Sequence, residues 1–119
     1  MPLNYLDFDY SEDELGVGTW DAMASVFEAR VPALAAEIEL ILLWASREFA
    51  GRQGAIDDGG DWDYDLQSQD DDGHPLLARS DADSGGLSLQ AAPAGRTTVT
   101  FSLAGSPQFG AALTAWLSE

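Results

Sequence analysis

The chain has no cysteine and no lysine, a single histidine at position 74, and no long apolar run. Each absence removes a class of chemistry. Without cysteine there is no disulfide, no thiolate metal ligand and no thiol nucleophile. Without lysine the basic residues are five arginines, at positions 30, 47, 52, 79 and 96. They are too scattered to form the patch that captures a phosphate backbone, so neither a nucleic acid nor an anionic membrane is an expected partner. A phosphate-cradling loop also needs a lysine. Gly16-Val17-Gly18 meets Asp21 where a dinucleotide fingerprint wants its third glycine.

The longest apolar stretch, residues 40–45, follows Glu37 and Glu39. It falls far short of the roughly 20 residues that cross a bilayer. Residues 1–10 have neither the basic region nor the apolar core of a secretory leader, so a cytoplasmic location is the expectation.

What is plentiful is acid. Asp and Glu together number 21 against five arginines, a formal net charge of −16 over 119 residues. That length makes one domain, and it buries about two-thirds of the unfolded surface. With 45% hydrophobic residues the chain has the composition of a globular protein. The charge serves solubility, and it also attracts a basic protein, a cationic peptide or a divalent metal ion.

Periodicity predicts the elements. Leu6, Phe8 and Tyr10 alternate with Asp7 and Asp9, the pattern of a half-buried strand over residues 6–10. A second strand, residues 19–26, follows a long acidic loop. Helical spacing runs from about 31 to 50, with Pro32 in the first turn and Gly51 just past the end. One face of this helix carries Leu34, Ile38, Ile41, Leu42 and Phe49. A second apolar stripe runs through Leu40, Leu43 and Trp44, interrupted by Glu37 and Arg47. Further strands are predicted over 61–66, 87–91 and 97–103, with a short apolar piece at 76–78 and a loop at 80–86. Residues 92–95 read as a hairpin turn between the last two strands. Ser106-Pro107 opens a final helix, about 106–118, with Phe109, Leu113, Trp116 and Leu117 on its stripe. Strands without crossover helices define an α+β domain over 1–119. Its expected form is an antiparallel sheet of about five to six strands packed against the two helices.

Catalytic and metal motifs fail on particular residues. Ser84, in Asp83-Ser84-Gly85-Gly86, lacks the first glycine of a nucleophile elbow. His74 follows three aspartates and a glycine and precedes Pro75, which reads as an exposed turn. Asp61, Asp63, Asp65 and Asp72 match positions of an EF-hand count, but Leu66 stands where the loop needs glycine. Asp81-Ala82-Asp83-Ser84-Gly85 is a second such fragment, without a distal carboxylate. No metal site and no cofactor are expected, and the chain reads as non-enzymatic.

The candidate partner-binding residues are Asp7, Asp9, Asp21, Asp61, Asp63 and Asp65, on the wet sides of their strands. If the Asp7-Phe8-Asp9 and Asp61-Trp62-Asp63 strands are neighbours, these carboxylates share one sheet face. Like charges across strands are destabilising, so such an array has a cost that solubility alone does not require. The expectation is an acidic binding protein that holds a basic protein partner, as an immunity or inhibitor protein does by analogy of charge and size. The alternatives are a small cation-binding protein or carboxylate-dependent hydrolase, and a homodimer built on Leu40, Leu43 and Trp44. Trp116 or Leu117 is expected to cover that stripe in a mainly monomeric protein.

Overall fold

A computed structural model describes residues 1–81 and 86–119. The α+β class is as expected, and the strands divide into two sheets. The main sheet contains β1 (Asp9–Glu12), β2 (Gly18–Phe27), β3 (Trp62–Gln69) and β6 (Arg96–Gly105). Its order is β1-β2-β6-β3, antiparallel throughout. A separate two-stranded ribbon pairs β4 (Ala78–Asp81) with β5 (Gly86–Leu89).

The sequence suggests that β5 and β6 form a hairpin, and they do not. β6 instead lies between β2 and β3, paired with β2 over its whole length. Burial explains the choice. The alternating Val99, Phe101 and Leu103 of β6 are fully buried, whereas Leu87 and Leu89 of the shorter β5 are only partly so. The connection is tied elsewhere: the Ala92 N–H donates to Thr97 Oγ1, and the Arg96 N–H donates to Asp71 Oδ2.

Helix α1 (Val31–Glu48) follows a single 3-10 turn, Glu28–Arg30. It buries Leu34, Ile38, Ile41 and Leu42, the face its spacing predicts. Ala22 and Ala24 present small side chains from β2 to the same core. On another side α1 meets the β4–β5 ribbon, where the Leu87 N–H donates to Glu39 Oε1 at 3.0 Å. Helix α2 (Pro107–Leu117) is capped as its sequence suggests, Ser106 Oγ accepting the Phe109 N–H.

Aromatic rings fill the space between α2, α1 and the sheet. Trp62 stacks on Phe109 at 5.8 Å, Trp20 meets the same ring edge-on at 6.0 Å, and Trp44 stacks on Trp116 at 4.9 Å. Trp116 thus covers Trp44 of the second stripe. Leu43 is half-buried, and Leu40 stays 47% exposed.

The first strand begins three residues later than its alternation implies. The N–H groups of Asn4, Tyr5 and Leu6 donate to the carboxylate of Glu37 on α1, so this stretch is bonded to the helix. Glu37 is therefore a buried acceptor and not a polar interruption of an apolar stripe.

Candidate functional site: the open sheet face and the β1 edge

The helices and the ribbon cover one face of the main sheet. Thr19, Asp21, Met23 and Ser25 of β2 alternate onto the other, where Met23 is 67% exposed. The register fixes the carboxylates on this face. Asp9 sits directly opposite Asp21, Asp21 opposite Ser102, and Ser102 opposite Asp65. These four residues form one row across all four strands. With strands about 4.8 Å apart, Asp21 and Asp65 are separated by about 10 Å. Asp63 lies on the same face, opposite Ala104. The Ser102 hydroxyl donates to Asp21 Oδ1 at 2.6 Å, and Gln67 Nε2 donates to Asp65 Oδ2 at 3.0 Å.

This arrangement differs from the expected one in two ways. The two Asp-x-Asp strands are not neighbours; β1 and β3 are the opposite edges of the main sheet. Asp21 on β2 stands one strand from β1 and two from β3, which leaves Asp9, Asp21, Asp63 and Asp65 on a common face. Asp7 is exposed but precedes the ladder. Asp61 also precedes its strand and is engaged by Arg52, whose Nε lies 2.6 Å from Asp61 Oδ2 and whose Nη2 donates to the Gly59 carbonyl. That guanidinium holds the Asp61 carboxyl below its ordinary value, against partial desolvation.

The carboxylates of the EF-hand count do not converge. Asp63 and Asp65 are strand residues, and Asp72 belongs to the turn after β3. Asp70, Asp72 and His74 do approach within 4.8 Å of one another. Asp70 Oδ1, however, already accepts the N–H groups of Asp72 and His74, and these bonds keep its carboxyl below the usual range. The trio is the scaffold of a turn, and His74 is exposed as its sequence context suggests. Residues 82–85, which carry Ser84 and most of the second calcium-like fragment, lie outside the described residues.

Sequence reasoning misses one feature, a cleft of about 730 Å³ between β1 and α2. Phe8, Tyr10 and Trp20 line it from the sheet, Gly110 and Thr114 from the helix, and Glu12 is its single charged lining residue. Glycines make the ring packing there possible. A Cβ on Gly18 would lie 2.7 Å from the Trp20 ring and 2.8 Å from Tyr10, and one on Gly110 would lie 3.0 Å from Trp20. The Tyr10 and Trp20 rings are 5.0 Å apart, yet Tyr10 remains 54% exposed. Partial desolvation pushes the Tyr10 hydroxyl above its ordinary value, and the neighbouring Glu12 carboxylate adds to the shift. The signal available in the sequence was Gly110, a helix-interior glycine one residue after a core phenylalanine.

Compared with known proteins, the chain matches no family model, no curated protein and no solved structure. Among the described residues, no helix is long and apolar enough to cross a membrane.

Proposed function

We propose that this is a non-enzymatic binding protein that holds a basic protein partner on its open sheet face. The observation that carries the reading is the register of Asp9 against Asp21, with Asp65 in the same row. Two like charges directly opposite on neighbouring strands destabilise a sheet. A cationic side chain placed between them removes that repulsion and adds attraction of its own. The rest of the face, with Ser25, Thr98, Thr100 and Gln67, offers short polar groups suited to the rim of an interface. The net charge of −16 speeds encounter with a basic partner and repels acidic ones.

The test is affinity capture from the native host with wild type and with an Asp9→Asn/Asp21→Asn/Asp65→Asn variant. The expected result is a basic protein held by wild type, released by salt, and lost from a variant that melts normally. Retention of the same partner by the folded triple variant would place the interface elsewhere.

A further inference from the structure

The two edges of the main sheet are unlike. The outer side of β3 is occupied: Gln69 bridges to Pro75, the Leu76 N–H donates to the Ser68 carbonyl, and Gln53 bridges to Trp62. The outer side of β1 pairs with no other strand among the described residues. Its free groups can be assigned. The Asp13 N–H donates to the Val17 carbonyl, in line with the β1–β2 register. Alternation along an antiparallel ladder then makes Ser11–Thr19 and Asp9–Asp21 the bonded pairs. The N–H and C=O groups of Tyr10 and Glu12 therefore point outward, away from β2.

We infer that β1 is an acceptor edge on which an extended basic segment of a partner adds as a further strand, its alternate side chains divided between the cleft and the acidic face. This inference rests on the reading of a basic partner and specifies how that partner docks. Main-chain bonds to Tyr10 and Glu12 supply the pairing, the mode by which extended peptides add to exposed edges. On one side of the added strand, side chains reach the cleft, where an apolar group packs against Tyr10 and Trp20 under the wall made by Gly110 and Thr114. On the other side they stand beside Asp9, at the end of the row that contains Asp21. The matching segment thus alternates arginine or lysine with apolar residues.

Charge selects this occupant over a second copy of the chain. Antiparallel pairing of two β1 strands would set side by side two acidic strands, each with Asp9 on one face and Glu12 on the other and no basic residue, and like charges on an edge oppose such pairing. The same two side chains favour a cationic strand.

The probe is an octapeptide of alternating arginine and leucine, compared at low salt with an isomer whose arginines are grouped at one end. The alternating peptide is expected to bind about tenfold more tightly, the worth of one or two edge hydrogen bonds. Amide hydrogen exchange should slow at Tyr10 and Glu12 and nowhere else on β1. Glu12→Pro removes an outward N–H without touching the β1–β2 ladder, which an edge strand tolerates. It should weaken the alternating peptide well beyond Glu12→Gln, which removes only the charge. If both peptides bind equally and the Tyr10 and Glu12 amides exchange unchanged, strand addition is wrong while the basic-partner reading stands. If neither peptide binds, both are wrong.

Discussion

Glu37 Oε1 accepts the N–H of Leu6 at 2.9 Å, and the same carboxylate takes the N–H groups of Asn4 and Tyr5. One side chain on α1 therefore replaces the ladder that these residues would otherwise need. Glu37 is only 7% exposed, and its removal strands the buried Leu6 N–H together with the part-buried donors of Asn4 and Tyr5. Glu37→Ala should cost about 3 kcal/mol, the scale for stranding buried donors of a charge-assisted site. Glu37→Gln, which keeps one acceptor oxygen, should cost less. Urea melts of the two variants check the order, and a neutral alanine variant would mean that the segment bonds elsewhere.

The core prediction concerns Ile38, which has no solvent exposure. Ile38→Ala should destabilise by about 2–5 kcal/mol through lost burial and the cavity left behind. A loss within the roughly half-kilocalorie range of surface substitutions would place α1 with another face inward.

The Arg52–Asp61 pair gives a signed pH dependence. The folded Asp61 carboxyl is held below its unfolded value, so its contribution is present above the unfolded pKa and lost as pH falls through the folded one. Asp70 has the same sign. Melting temperatures of wild type and Asp61→Asn should therefore converge as the pH is lowered through the acidic range below 4. A gap that stays constant down to acid pH would show that the pair contributes nothing specific. The pair is solvent-exposed, so the gap at neutral pH should be small.

Asp9 faces Asp21 with no arginine engaged by either carboxylate among the described residues. Asp9→Asn should raise stability by about 0.2–1 kcal/mol at low ionic strength, the scale of a cross-strand pair. High salt should erase the difference by screening. Thermal melts at two salt concentrations decide it. A variant that melts lower would mean that the Asp9 carboxylate accepts a structural hydrogen bond.

Much of this fold was legible because it depends on local pattern. The face of α1, the Ser106 cap and the alternation of β6 follow from spacing alone. Strand order was not legible, because Leu87 to Leu89 and Val99 to Leu103 both alternate and only competition for the core decides which is central. Glu37 was misread for a related reason: a single carboxylate among apolar neighbours looks like an interruption until the backbone it receives is seen. The acidic face was half legible. Alternation placed Asp9, Asp63 and Asp65 outward, but their common row depends on Asp21 and Ser102, which only the register brings between them.

One of the two inner strands of the main sheet, β6, is also the last of its four in chain order. β2 and β3 have no hydrogen bonds to each other and meet only through β6, which begins at Arg96. During synthesis, Phe27 and Gln69 have long left the peptidyl-transferase centre before the strand that joins their segments exists. Until β6 emerges, the β1–β2 hairpin and β3 lack the strand that joins them and α1 lacks much of the core it packs on, a state open to aggregation and slow to resolve because the missing contacts are distant in sequence. A dense negative charge serves such a chain before any partner arrives, since half-made copies on neighbouring ribosomes repel one another.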